Sequence, residues 1–217
     1  MSSQADNVIL LHGLLRTDRS MQKLEQALLK RGYSVQNISY ESTRKNIEAL
    51  AEEAIGPALA ACPPGHKVNF VTHSLGGILV RQYLKHHDID KLGRVVMLGP
   101  PNKGSEVIDK LRDFPGFYFV HGDAGLELGT GETSVPNNLG NANFDLGVIA
   151  GTRSINLILS TMIPGKDDGK VSVENTKLEG MSDHLEMEVT HPFMMRNNRV
   201  IEQVIHYLET GKFHRGS

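Results

Sequence analysis

Cysteine, charge imbalance and long apolar runs are all scarce in this chain of 217 residues. The single cysteine, Cys62, cannot form an internal disulfide, which is typical of proteins in a reducing compartment. A net charge of −2 and a pI near 6.5 favour neither a nucleic-acid partner nor an anionic membrane surface. Because no apolar run reaches about 18 residues, the sequence predicts no integral membrane segment.

Signals for export, metals and dinucleotides are also missing. Residues 1–7 are polar and lack the basic flank and apolar core of a signal peptide, so we expect a cytoplasmic protein. No predicted helix carries two histidines at zinc-ligand spacing, and Cys62 has no partner ligands. No glycine-rich dinucleotide fingerprint is present. The sequence therefore predicts neither a metal site nor a cofactor.

What the chain does contain is a regular alternation of short apolar runs and amphipathic stretches. Its length suits a single domain, 1–217. The alternation predicts an α/β fold, with a mostly parallel sheet of about six strands and helices on both faces. The predicted strands are 7–11, 33–38, 68–71, 94–98, 144–150 and 185–190, and the predicted helices are 18–31, 45–61, 75–87 and 192–209.

One segment, 100–143, interrupts this alternation. It is rich in glycine and shows little periodicity, apart from a short predicted helix at 103–112. A connection of this length inside a compact domain is typical of a functional loop, so we interpret it as a lid-like insertion. A plain surface insertion is the alternative.

The sequence T-H-S-L-G-G, residues 72–77, lies between a predicted strand and a predicted helix. A serine at such a turn, flanked by small residues, is typical of a nucleophile elbow, which exposes the hydroxyl at the end of a sheet. Gly76 is expected because a side chain there would collide with the neighbouring strand. The alternative is that Ser74 merely caps the helix, with the glycines as packing residues. The spacing favours Ser74 as a nucleophile.

A serine nucleophile needs a base within hydrogen-bond reach. His191 is the best candidate among ten histidines, because it follows the last predicted strand and so lies at the same sheet edge as Ser74. His184, which precedes that strand, is the main rival. His73 is expected to pack beside the nucleophile rather than to catalyse, and His12 to form structural hydrogen bonds.

The base in turn needs a carboxylate that fixes its tautomer. Asp168 lies in an Asp-Gly turn between the fifth and sixth predicted strands, where its side chain would project at the active edge. Asp167 is adjacent and is the alternative. The oxyanion of an acyl-transfer intermediate also needs N–H donors. We expect them from the backbone of Leu75, after the nucleophile, and of Leu14, in the loop after the first strand.

Several of these motifs together resemble the α/β-hydrolase superfamily, nearest to its lipase and esterase branches. The resemblance extends from Val8 to about Leu208, and the chain order Ser, Asp, His is the order of that superfamily. In the lipase acid loop the Asp before Gly is the triad member, which favours Asp168. Thr72 replaces the usual glycine of the elbow. The motifs are L-L-H-G-L-L (10–15), V-T-H-S-L-G-G (71–77), G-P-P-N-K-G-S (99–105), D-D-G-K-V-S-V (167–173) and T-H-P-F-M-M (190–195).

The sequence thus predicts a serine hydrolase for carboxylic esters of small molecules, working through an acyl-enzyme. Thioesterase and acyltransferase activities would use the same triad and remain alternatives, and so does a non-catalytic binding protein with this fold. Aromatic residues of the lid-like segment, namely Phe114, Phe117 and Tyr118, are predicted to form an apolar substrate pocket, which favours a lipid-like ester. They are equally explained as anchors of a loop.

Overall fold

The computed structural model describes residues 6–155, 161 and 163–215 and shows one six-stranded sheet. All five strand pairs are parallel, in the order β2-β1-β3-β4-β5-β6. This confirms the predicted α/β sheet. The strands are β1 (Asn7–Leu11), β2 (Ser34–Ile38), β3 (Val68–His73), β4 (Leu92–Leu98), β5 (Leu146–Gly151) and β6 (Asp183–Met187).

Helices cover both faces of this sheet, because alternate residues of its central strands point to opposite sides. In β1, Ile9 and Leu11 join one buried cluster with the helices at 47–60 and 75–86. Val8 and Leu10 join another with the helices at 22–30 and 198–210. The helices are α1 (Gln22–Lys30), α2 (Ile47–Ala60), α3 (Leu75–His86), α4 (Glu106–Leu111), α5 (Phe117–Leu126), α6 (Val135–Asn138), α7 (Val173–Thr176) and α8 (Asn198–Thr210).

The end of the chain differs from the prediction in its boundaries. The last strand ends at Met187 rather than at 190, because the Val189 N–H turns back to the Met187 carbonyl at 2.7 Å. The last helix begins at Asn198 rather than at 192, because the Asn197 side chain caps it by accepting from Arg199 and Val200 N–H groups. His191 therefore lies in a loop, preceding a short 3₁₀ turn, Met194–Arg196.

Segment 100–143 contains three short helices: α4 confirms the short helix predicted at 103–112, whereas α5 and α6 were not predicted. Its last part is fixed to the body by Arg81, which is buried in α3. The Arg81 guanidinium donates to carbonyl oxygens of Asn102, Pro136 and Gly140 at 2.9 to 3.0 Å. Burial lowers the pKa of Arg81 to about 10. No helix in the described residues has the length and apolar character needed to cross a membrane.

Candidate active site

Ser74 lies at the sharp turn between β3 and α3 and has an unusual backbone conformation. Its φ of 51° and ψ of −118° are values that residues other than glycine seldom adopt. Such a residue costs about 1–3 kcal/mol and persists only where the surroundings hold it. Here the Ser74 N–H donates to the Leu98 carbonyl of β4 at 2.9 Å, so the neighbouring strand fixes the turn.

Small residues let three backbone segments meet at this turn. A Cβ on Gly76 would lie 2.6 Å from the Leu11 carbonyl oxygen of β1, which is the collision expected from the sequence. A Cβ on Gly13 would lie 2.7 Å from His73 Nδ1 and 3.1 Å from Ser74 Cβ. Thr72, which stands where glycine is usual, is fully buried.

His191 and Asp168 are brought together by the loops after β6 and β5. His191 Nδ1 lies 2.7 Å from Asp168 Oδ2, and both side chains are buried. The His191 N–H also donates to the Asp168 carbonyl at 2.9 Å, so backbone and side chain join the same two residues. Because the Asp168 carboxylate can only accept, the ring proton of His191 is on Nδ1, and Nε2 is left as an acceptor.

The His191 ring also lies beside the elbow, although it does not yet touch the serine hydroxyl. Its centroid is 4.7 Å from that of His73, the residue before Ser74. Within the described residues, no hydrogen bond joins the Ser74 hydroxyl to His191. Such contacts are often long in a free enzyme and tighten when substrate binds.

The two rival residues are engaged elsewhere. Asp167 accepts a hydrogen bond from the Gly169 N–H at 2.7 Å, which shapes the turn that presents Asp168. His184 lies in the edge strand β6, three places from β3, or about 14 Å at the usual strand spacing. Its Nε2 pairs with the Thr176 hydroxyl at 3.0 Å. Neither residue takes part in the contact between His191 and a carboxylate.

Gly99, directly after β4, makes room for that contact. A Cβ there would lie 2.9 Å from Asp168 Oδ2 and 3.0 Å from His191 Nδ1. Its φ of +54° also belongs to the left-handed region that favours glycine. The first glycine of the G-P-P motif is therefore part of the site, a role that the sequence motif alone did not reveal.

His73 is buried and forms a hydrogen bond to the backbone of His191. Its Nε2 lies 3.0 Å from the His191 carbonyl oxygen, to which it donates. Burial lowers the pKa of His73 well below its ordinary value, and the neighbouring His191 lowers it further. A neutral imidazole at this position therefore combines packing, as expected, with a hydrogen bond to the loop of the candidate base.

The turn after β1 carries the candidate oxyanion amide of Leu14. The Arg16 N–H donates to the Gly13 carbonyl at 3.2 Å, and Leu15 has a φ of 60°, with its N–H bonded to the Ser42 hydroxyl. The Leu14 N–H has no acceptor among the described residues. Leu75 is the first residue of α3, where backbone N–H groups lack acceptors within the helix.

His12 has the structural role that the sequence suggested. Its ring is buried and stacked on Tyr40 with centroids 4.0 Å apart. Nδ1 donates to the Gly13 carbonyl at 2.9 Å, and Nε2 accepts from the Tyr40 N–H. The Tyr40 hydroxyl donates to the His12 carbonyl. These bonds hold the turn that presents Leu14.

A cavity of about 210 Å³ opens beside Ser74 and is largely apolar. Of the three aromatic residues predicted to line it, only Phe117 does so. Phe114 and Tyr118 are largely solvent-exposed, at 65% and 52% of their surface. Phe114 lies in the turn between α4 and α5, and Tyr118 lies on the side of α5 that faces away from the cavity. The other lining residues are Leu14, Pro101, Ser105, Val107, Ile108, Leu111, His121, Leu128, Lys170 and Val171.

Two lining residues with ionisable side chains were missed by sequence reasoning. His121 stacks on Phe117 with centroids 4.0 Å apart, and burial lowers its pKa. Lys170 follows the Asp-Gly turn, and burial lowers its pKa as well. Lys170 stands in the D-D-G-K motif, so its closeness to Asp168 in the sequence was a signal. His121 has none, because only the folded segment brings it to the cavity.

The acid loop is held from the opposite side by the start of α4. Ser105 donates to the Lys170 carbonyl at 2.8 Å. The Glu106 carboxylate accepts from the Ser172 hydroxyl at 3.0 Å and from the Asn175 side chain at 2.8 Å. Asp168 itself accepts two backbone hydrogen bonds at 3.0 Å, from the N–H groups of Lys170 and Val171. The carboxylate is therefore fixed before any substrate binds.

Solved structures with similar folds include the mature lipase of Bacillus licheniformis, at a TM-score of 0.77 and 18% identity over 95% of this chain and 93% of that one. Phospholipase PlaB from Legionella pneumophila has a TM-score of 0.74 and 17% identity, over 97% of this chain and 60% of that chain. A metagenomic carboxyl esterase has a TM-score of 0.72 and 16% identity, over 88% of this chain and 66% of that one. The chain thus spans less than two thirds of the last two proteins.

Comparisons at the level of sequence add nothing to this assignment, because no family model and no curated protein match the chain. The structural similarities establish the fold, which is that of the α/β-hydrolases. Among the residues that the structure describes, no group of three His, Cys, Asp or Glu side chains is arranged to hold a metal ion.

Proposed function

We propose that this protein is a serine hydrolase that cleaves carboxylic esters through Ser74, His191 and Asp168. The observation that carries the proposal is the buried contact of 2.7 Å between His191 Nδ1 and Asp168 Oδ2, at the sheet edge where the strained Ser74 lies. A buried histidine with one nitrogen held by a carboxylate and the other unoccupied has the form of a general base.

In the first step Ser74 attacks the substrate carbonyl carbon while its proton passes to His191 Nε2. The proton on Nδ1 stays in the hydrogen bond to Asp168, whose negative charge stabilises the imidazolium that forms. Ser74 and His191 are neighbours, because Ser74 directly follows His73 and the His191 ring lies 4.7 Å from the His73 ring. His191 then protonates the leaving alcohol, and an acyl-enzyme forms on Ser74 Oγ.

The negative oxygen of the tetrahedral intermediate would be held by the N–H groups of Leu14 and Leu75. Two observations support this role: the Leu14 N–H has no acceptor among the residues described, and Leu75 opens a helix. The partial positive charge of a helix N-terminus favours an anion there. A fixed donor typically contributes about 3–4 kcal/mol to such a step, because no reorganisation is needed during the reaction.

In the second step water replaces the alcohol. His191 Nε2 takes a proton from that water, the hydroxide oxygen attacks the acyl carbon, and the proton returns to Ser74 Oγ as the carboxylic acid leaves. The apolar cavity beside Ser74 would hold the acyl chain. Its volume of about 210 Å³ favours a short or medium chain over one of palmitoyl length.

A lipid-like ester is the favoured class of substrate for two reasons. The cavity lining is mainly aliphatic and aromatic, and the fold resembles a lipase and a phospholipase among solved structures. A thioester would fit the same machinery, since the attacking hydroxyl and the oxyanion donors do not depend on the leaving atom. Comparison of an oxygen ester with its thioester at equal acyl length separates the two.

The test is hydrolysis of p-nitrophenyl esters from acetyl to palmitoyl by wild type and by Ser74→Ala. We expect an optimum at short to medium length, and a loss of about 10³- to 10⁶-fold in the variant. Circular dichroism checks that the variant is folded. Turnover that survives in Ser74→Ala would overturn the assignment, and a folded wild type without any turnover would favour a binding protein.

A further inference from the structure

One lysine lines the proposed acyl cavity and has no ion pair among the residues that the structure describes. Lys170 borders the same space as Ser74, two residues after Asp168. Asp168 attracts the Lys170 charge through space but is not in contact with it as an ion pair. The Asp168 carboxylate is already occupied by the His191 ring and by two backbone N–H groups.

A second cation, Arg16, is solvent-exposed in the neighbouring turn after β1 and acts on Lys170 through its charge. It belongs to the turn of Leu14, through the bond from its N–H to the Gly13 carbonyl at 3.2 Å. Its positive charge reaches both Lys170 and His73, and it lowers the pKa of each in addition to the larger effect of burial. Arg16, too, has no ion pair within the part of the chain that the structure describes.

The neighbouring lysines form ion pairs, unlike Lys170 at the cavity. Lys166, in the same loop, pairs with Glu186 at 3.2 Å, and Lys103 pairs with Glu174 at 3.0 Å. Both are solvent-exposed, where such pairs contribute little. Lys170, by contrast, is partly buried against apolar residues. The Lys170 ammonium loses hydration there and is repelled by Arg16, and together these effects outweigh its attraction to Asp168. A bound anion would relieve both penalties.

We infer that Lys170, which lines the cavity beside Ser74, binds an anionic group, a carboxylate or a phosphate, carried by the ester substrate. The inference rests on the proposed esterase function and narrows its substrate class to acidic esters. The bound group would lie in the cavity near the acid loop. The Lys170 ammonium supplies a point charge for it, and Arg16 adds positive charge from the side of the Leu14 turn.

Ionisable groups around Lys170 set how this binding depends on pH. They are Arg16, Asp168, His73 and His121. Because burial lowers the pKa of Lys170, this lysine loses its proton at a lower pH than an ordinary lysine. Preference for an anionic substrate should therefore decline on the alkaline side. In Lys170→Arg, where the charge persists at high pH, the preference should remain.

The test compares kcat/KM for esters that match in size but differ in charge. Mono-p-nitrophenyl glutarate and p-nitrophenyl pentanoate probe the acyl side, and 1-butyryl-glycerol 3-phosphate and monobutyrin probe the alcohol side. We expect wild type to prefer one anionic member about tenfold or more, mainly through KM, as charge-assisted hydrogen bonds imply. The side that responds distinguishes a carboxylate from a phosphate source.

In Lys170→Met the anionic-to-neutral ratio should fall toward one, while Lys170→Arg should keep it. Lys166→Met is the matched control, because it removes the same charge from the same loop outside the cavity; its ratio should equal that of wild type. Equal kcat/KM for both members of each pair in wild type would overturn the inference. An equal ratio in wild type and Lys170→Met would overturn it as well.

A binding measurement separates failure of this inference from failure of the proposed function. Calorimetry on Ser74→Ala with glutarate and with glycerol 3-phosphate needs no catalysis. Binding that disappears in Ser74→Ala/Lys170→Met but persists in Ser74→Ala/Lys166→Met supports the anion site even if no ester is cleaved. Ester turnover without binding of either anion would refute the site and leave the esterase proposal intact.

Discussion

Asp168 and Phe119 belong to two regions on either side of the cavity that are held in opposite ways. The Asp168 carboxylate is fully buried and accepts three hydrogen bonds, from His191 and two backbone N–H groups. Phe119, in α5 of segment 100–143, is 91% exposed. The proposed catalytic edge is thus fixed by several independent contacts. The segment over the cavity commits one side of its helix to the core and leaves the other uncovered.

This difference teaches where chemistry and where selectivity reside in the proposed enzyme. Ser74 and Asp168 follow β3 and β5, strands that are buried on both faces, while His191 follows the half-exposed edge strand β6. The walls of the cavity come largely from the connection after β4 and from the acid loop, which can vary without altering the sheet. Substitutions on the two sides should therefore affect different kinetic quantities.

The largest effect is expected from Asp168→Asn. An amide leaves the geometry nearly unchanged but removes the charge and favours the wrong tautomer of His191, so kcat should fall about 10⁴-fold. Asp167→Asn is the matched control, because Asp167 accepts from the Gly169 N–H in the same turn, whereas Asp168 holds the His191 ring. Ester turnover measures both. Comparable losses in the two variants would contradict the assignment of Asp168.

The contrast between the two sides of α5 is tested by Phe117→Ala and Phe119→Ala. Phe117 is buried on the cavity wall, so truncation should reduce the free energy of unfolding by about 3 kcal/mol and shift the optimum toward longer acyl chains. Phe119→Ala should change unfolding by about 0.5 kcal/mol or less. Urea unfolding and the p-nitrophenyl series provide the data, and equal shifts in both variants would refute this picture of α5.

Gly99→Ala tests whether the catalytic edge is as tightly fitted as its contacts indicate. The added methyl group would lie 2.9 Å from Asp168 Oδ2, and the position has a φ of +54°. Displacement of the His191 ring should lower kcat about 10²-fold, with KM changed less. Gly116→Ala, at a left-handed position where a Cβ meets no neighbour within 4 Å, is the control for backbone strain alone. An unaltered kcat in Gly99→Ala would show that the side chains at this edge can move to accept a methyl group, and would contradict a tight fit.

The smallest effect concerns His73 and stability. Burial keeps its pKa well below 6.5 in the folded protein, whereas the unfolded chain takes up a proton near that value. Stability should therefore fall as pH drops through about 6.5, by at most about 1.4 kcal/mol per pH unit for this residue. His12, whose pKa burial also lowers, adds to the effect.

His73→Gln should remove the His73 share of that slope, while its side-chain amide still donates to the His191 carbonyl. The measurement is urea unfolding of wild type and variant between pH 7.5 and 5.5, a range set by the ordinary histidine pKa of about 6.5. An identical slope in both proteins would show that His73 is protonated in the folded state.

Much of the fold was predictable, because buried parallel strands and amphipathic helices leave clear patterns. The sharp turn at Ser74 between a strand and a helix was predictable too, from an apolar run, a serine and two glycines at fixed spacing. The limits of β6 were not, because the turn at Val189 depends on a backbone hydrogen bond rather than on residue type. His191 was therefore selected for a position directly after the strand, whereas the structure places it four residues beyond.

The cavity was less predictable than the catalytic edge. Phe114, Phe117 and Tyr118 look alike in sequence, and only the folded turn before α5 and the orientation of that helix decide that Phe117 alone of the three borders the cavity. Lys170 and His121 reach the same space from segments about 50 residues apart, a distance that no local pattern bridges. The three-dimensional arrangement of connections, rather than of strands, determines what the site can hold.

The most direct test of the central claim is covalent labelling with a fluorophosphonate, followed by intact-mass and peptide mass spectrometry. The probe forms a bond only to a serine activated by its neighbours. We predict one adduct per chain on the peptide that contains Ser74, lost in Ser74→Ala and strongly slowed in Asp168→Asn. A folded wild type that stays unlabelled, or an adduct on another residue, would contradict the account.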